Sequence, residues 1–88
     1  METRVAVIAI IVENKDMVSI INEKIHEYAS YIVGRMGIPY YKKGISIISL
    51  VIDAPQNTIS ALSGKLGRLE GVSVKTSYSN VKGDAQIK

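Results

Sequence analysis

Residues 4–12 read RVAVIAIIV and residues 45–52 read ISIISLVI. Both runs are dense in β-branched residues, apolar at nearly every position, and short for a buried helix. Such runs predict strands covered on both faces. Because side chains alternate across a strand, each run splits into two apolar sets. In the first, Val5, Val7, Ala9 and Ile11 oppose Ala6, Ile8, Ile10 and Val12. In the second, Ile45, Ile47 and Val51 oppose Ile48, Leu50 and Ile52. Whichever set meets a helical layer, the other is left facing away from it.

The segments around these strands complete a pattern. After the first strand, ENKD offers Asn14 or Asp16 as a helix N-cap. Residues 16–29, DMVSIINEKIHEYA, place Met17, Ile20, Ile21, Ile25 and Tyr28 at helical spacing between polar positions. Residues 30–38, SYIVGRMGI, predict a strand weakened by two glycines, which Pro39 ends or bends and which suits a sheet edge. YYKKG is a hairpin connection with Gly44 at its permissive position. Residues 53–69 predict a second helix with Pro55 in its first turn and Ile59, Leu62, Leu66 and Leu69 as its buried stripe. Asp53 reads there as a helix-start acceptor. In VSVKTSY, residues 72–78, Val72, Val74, Thr76 and Tyr78 alternate with Ser73, Lys75 and Ser77. The order is βαββαβ, an α+β ferredoxin-like sandwich: a four-stranded antiparallel sheet with two helices on one face. Right-handed crossovers place the two apolar strands in the centre. One domain is expected over residues 1–80, with a loose tail over 81–88.

A chain of 88 residues buries only roughly 60–65% of its unfolded surface, so a second source of stability is expected. The outward apolar set is larger than a monomer ordinarily exposes, and another subunit of the same chain, in a homodimer or tetramer, is the expected cover. There is no cysteine, which excludes disulfides and thiolate metal sites and fits a reducing, cytoplasmic setting. The apolar N-terminal run is too short to span a bilayer and lacks the flanks of a signal peptide. The net charge of +3 comes from basic residues spread along the chain with no run longer than two, which reads as a solvated surface.

Motifs of chemistry are sparse. His26 is the single histidine and has no second imidazole or thiol to complete a metal site. It sits near a helix C-terminus, a favourable place for a histidine, beside Asn22 and Glu23. GRMG, SGKLG and LEGV lack the strand–loop–helix context of a phosphate loop. Ser46, Ser60 and Ser63 have no histidine partner, so no catalytic residue is assigned. RNA-binding sheets of this shape carry aromatics on the central strands, and these strands have none. The alternative nucleic-acid surface is the Tyr40-Tyr41-Lys42-Lys43 hairpin with Lys65 and Arg68 of the second helix. An acylphosphatase-like hydrolase would need an Arg-bearing glycine loop where ENKD stands.

The segments HEYASYIVGRMGIPY (26–40), GISIISLVIDAP (44–55) and ISALSGKLGRLEGVSVKT (59–76) resemble the family of iron-only hydrogenase system regulators over residues 3–80. GRMGIPY and ALSGKLG are the specific pieces. The resemblance implies an ACT-like domain similar to the effector-binding domain of the nickel-responsive repressor. That repressor has a helix-end histidine, alternating histidines on the next strand, and a cysteine at the start of the strand after it. Here His26 matches the first, but Met36 and Ile38 stand at the imidazole positions and Gly44 at the thiolate position. A square-planar nickel site is not expected. A ribbon-helix-helix like the repressor's is not expected before the first strand. ENKD also lacks the glycine typical of ACT domains that bind amino acids. The expectation is a non-enzymatic regulatory module that acts as a homo-oligomer without its own DNA-binding segment. It requires no cofactor or metal, and a small-molecule effector or protein partner would act at subunit edges. If a ligand binds, His26, Arg35, Met36 and Tyr40 are the expected lining. Nucleic acid and membrane are not the expected partners.

Overall fold

The computed structural model describes residues 2–81. Apart from Val81, the expected tail over 81–88 lies outside the described residues. Four strands, β1 (Arg4–Val12), β2 (Ile32–Tyr40), β3 (Ile45–Ala54) and β4 (Val72–Tyr78), form one antiparallel sheet. Its order is β2-β3-β1-β4, so the two continuously apolar strands are central, as their composition requires. Two helices, α1 (Val18–Glu27) and α2 (Gln56–Gly67), supply the crossovers.

The helical layer selects one apolar set from each central strand. Ala6, Ile8, Ile10 and Val12 of β1 and Ile48, Leu50, Ile52 and Ala54 of β3 are buried with Ile21 and Ile25 of α1 and Ile59, Leu62 and Leu66 of α2. Val72, Val74 and Tyr78 of β4 pack against them from the edge. Burying a branched aliphatic side chain contributes about 1.5–3 kcal/mol, so this single layer is the main source of stability. Polar contacts fix the helices to the sheet. The Ser63 and Thr76 hydroxyls lie 2.8 Å apart, joining α2 to β4. Arg4 donates to the Gln56 side-chain oxygen at 3.0 Å and to the Ser79 carbonyl at 3.1 Å. Its guanidinium lies 4.5 Å from the Tyr78 ring centroid.

The element ends differ from the sequence expectation in instructive ways. Lys15–Met17 form a 3-10 turn before α1, capped by the Asn14 side chain, which accepts the Asp16 N–H at 3.1 Å. The first helix is thus shorter than residues 16–29, and Ala29–Tyr31 form a second 3-10 turn. Ile20, expected in the buried stripe, stands 36% exposed on the outer side of α1. The second strand begins at Ile32, not residue 30, and runs through Pro39 to Tyr40. An edge strand has one ladder to satisfy, so proline interrupts nothing. Asp53 and Ala54 belong to β3, and Pro55 is the N-cap residue of α2 with no side-chain cap bond. Asp53 is therefore not the helix-start acceptor; the Pro55 carbonyl accepts from Thr58 and Ile59. Among the described residues two glycines have the positive φ that favours the residue: Gly44 in the hairpin turn at 67° and Gly71 before β4 at 74°.

A bulge decides what β2 presents. Ile32 pairs with Ile52, but Gly34, not Val33, pairs with Val51. The extra residue reverses the alternation. Ile32 packs on the core, and beyond the bulge Arg35, Gly37 and Pro39 lie on the helix side, opposite Leu50, Ile48 and Ser46. Met36, Ile38 and Tyr40 lie on the other side, opposite Ser49, Ile47 and Ile45.

Candidate functional site

Two features of the surface invite function, one on each side of β2. The first is the sheet face turned away from the helices. Rows of aligned residues cross it: Ile38, Ile47 and Ile11 in one, Met36, Ser49 and Ala9 in the next, then Gly34, Val51 and Val7. Val5, Val7, Ile11, Ile47, Met36, Ile38 and Tyr40 are all exposed, Val7 to 40% and Met36 to 60%. The strip continues over β2, β3 and β1 and stops at β4, whose Ser73, Lys75 and Ser77 form a polar margin. The outward set of the central strands was legible from alternation. The contribution of β2 was not, because it depends on the bulge.

The second feature is an open groove of about 300 Å³ between α1 and β2, lined by Asn22, Ile25, His26, Ala29, Ile32 and Arg35. Asn22 and His26 are one helical turn apart and share a face of α1. The exposed Arg35 reaches from β2 and donates through Nη2 to the Asn22 Oδ1 at 3.0 Å. Among the described residues Arg35 forms no ion pair. A neighbouring groove of about 230 Å³ shares Asn22 and Arg35 and runs along Gly37 and Pro39 toward Ser46 and Ile48.

The four residues expected to line one ligand site therefore divide. His26 and Arg35 meet in the α1–β2 groove, while Met36 and Tyr40 sit on the opposite face of the sheet. His26 is the penultimate residue of α1. Asn22 is the polar groove residue that sequence reading did not assign. Its spacing from His26 was a signal, but its bond to Arg35 spans 13 residues and two elements. Among the described residues no group of three or more His, Cys, Asp or Glu side chains could hold a metal ion.

The hairpin tip presents Tyr41 at 88% exposure next to exposed Lys42 and Lys43. Lys65 is engaged elsewhere: its Nζ lies 3.6 Å from the Glu27 carboxylate and 5.1 Å from the Tyr28 ring centroid. The Tyr28 hydroxyl, aided by Glu27, holds the pKa of Lys65 above its ordinary value. Among the described residues, no helix is long and apolar enough to cross a membrane.

Comparison with known proteins places the chain. Residues 4–76 match the family model described as "TM1266-like: Iron-only hydrogenase system regulator, putative". The solved structure of the uncharacterized protein TM1266 from Thermotoga maritima is similar, with 37% identity and a TM-score of 0.84. The match covers 88% of this chain and 98% of that one. No curated protein matches. The four-stranded ferredoxin-like sheet and the family model agree with that neighbour across nearly the whole domain: the chain belongs to the TM1266-like family.

Proposed function

We propose that this protein is a non-enzymatic regulatory module of an iron-only hydrogenase system, and that it acts through assembly with a second copy of itself across the open sheet face. The observation that carries the proposal is the continuous apolar strip over β2, β3 and β1. The three strands of the strip, about 4.8 Å apart and about 30 Å long, give two stacked copies roughly 860 Å² of apolar footprint; the shorter polar margin of β4 adds about 200 Å², which brings the whole to the low end of specific interfaces. A two-fold pairing sets the same strip against itself, so the apolar surface meets its like. In the rows of Val7, Ala9 and Ile11 the strip over β1, β3 and β2 holds no charged side chain; Asp53, paired with Val5, and Lys75 of β4 stand at its margins, where a pair leaves them in reach of water. Family membership supports the regulatory half of the reading.

Solution mass by size exclusion with light scattering tests the assembly. Wild type should run at twice the monomer mass or a higher multiple across concentration, and Ile47→Lys should run as a monomer. A wild-type monomer at every concentration and salt would overturn the assembly. The secondary reading, nucleic acid at the hairpin tip, rests on the exposed Tyr41, Lys42 and Lys43. It requires binding that falls steeply with salt.

A further inference from the structure

We infer that the α1–β2 groove is a binding site for a small monocarboxylate with a short apolar tail, held by Arg35. The inference rests on the regulatory reading for its purpose, since such a ligand would be the effector, but not for its chemistry.

Two arginines of this molecule are used very differently. Arg4 is consumed by structure: two acceptors and an aromatic ring engage its guanidinium. Arg35 has one hydrogen bond, to Asn22, and among the described residues no ion pair. A guanidinium has five N–H donors in a fixed fork, a shape that matches a carboxylate through two parallel bonds. The Asn22 bond restrains the fork at the groove wall and leaves donors free. Across the groove, His26 offers an N–H donor in either protonation state.

The lining also fixes what the ligand must lack. Arg35 is the single permanent cation among the six residues, so the groove balances one negative charge, not the two of a phosphate monoester. No carboxylate lines it, so the α-ammonium group of a free amino acid would have no ionic partner there. Ile25, Ala29 and Ile32 supply an apolar wall for a hydrocarbon tail. A volume of about 300 Å³ lies at the small end of ligand pockets, which sets a compact molecule. Placement gives the site a consequence. Arg35 projects from β2, whose opposite side carries Met36, Ile38 and Tyr40 of the assembly strip. A ligand that immobilises Arg35 thereby steadies the strand framing that strip.

The test uses sodium 4-methylpentanoate as probe against the full chain, with 4-methylpentanamide, leucine and inorganic phosphate as comparators. Binding is read by ¹⁵N NMR at the amides of Gly34 and Gly37 and the Arg35 side chain. The carboxylate should shift these signals saturably. The amide should bind at least about tenfold more weakly, the difference a charge-assisted pair supports; leucine, whose ammonium has no ionic partner in the groove, and phosphate, which offers no apolar tail, should also bind more weakly than the carboxylate. Arg35→Gln should weaken the carboxylate at least about tenfold, Arg35→Lys should fall between, and Arg68→Gln should match wild type. No response to the carboxylate, an equal response to the amide, or an unchanged affinity in Arg35→Gln would each overturn the site. Solution mass, measured on the same samples, reports assembly separately. A dimer that ignores the probe defeats the site and keeps the assembly; a monomer that binds it does the reverse.

Discussion

The two faces of this sheet are built from the same residues and lead different lives. On β1, Ala6, Ile8, Ile10 and Val12 are buried under the helices, while Val5, Val7 and Ile11 are exposed. The same division runs along β3, between Ile48, Leu50 and Ile52 on one side and Ile45, Ile47 and Val51 on the other. Hydrophobicity alone does not separate them. What separates them is that one face received α1 and α2 from its own chain and the other did not. An apolar face without an internal cover is a demand on the surroundings.

Three substitutions sharpen or break this contrast. The largest effect belongs to the covered face: Leu50→Ala should cost about 2–5 kcal/mol in chemical denaturation, because a fully buried side chain leaves a cavity among the helices. A loss below about 1 kcal/mol would mean that the helical layer is looser than this packing. Next comes the junction that holds the layer in place. Gly71 has φ 74°, and a Cβ there would lie 2.8 Å from the Asn14 Cβ, where the Glu13 N–H donates to the Gly71 carbonyl at 2.7 Å. Gly71→Ala should cost about 1–3 kcal/mol by the same assay. The smallest intrinsic effect belongs to the open face. Ile11→Lys should change the stability of an isolated subunit by less than about 1 kcal/mol. It should, however, abolish the rise of Tm with protein concentration that assembly produces. A wild-type Tm independent of concentration would place the two faces on an equal footing and remove the contrast.

Much of the architecture was legible. The limits of β1 and β4 follow from composition and alternation, and the helical stripe Ile59, Leu62 and Leu66 is buried as its spacing requires. Alternation also showed that both central strands would have a second apolar face. It could not say which set the helices would take, since both are equally apolar. The second strand was harder. Gly34, Gly37 and Pro39 all disfavour an isolated strand, and pairing to β3 overrides them. Counting by twos from Ile32 puts Met36, Ile38 and Tyr40 under the helices. The single extra residue at Val33 puts them outside, and nothing local announces it. The split of the expected ligand lining had a visible cause: Arg35 and Met36 are adjacent on a strand and therefore point to opposite faces. The Arg35–Asn22 bond had none, because it joins two elements that only the fold brings together.

The position of β1 also governs how the chain comes into being. Val12 pairs with Ser46 on one side and Val72 on the other, while Ala6 pairs with Tyr78. During synthesis at roughly 5–20 residues per second, the most apolar strand therefore waits seconds for either neighbour. The β2–β3 hairpin, closed by a turn over 41–44, is the one strand pairing that needs no distant segment. It is the natural first piece to form, and β1 docks onto an edge already made. A nascent chain stalled before β3 would hold its greasiest segment unpaired, and that is where a holding chaperone would find its grip.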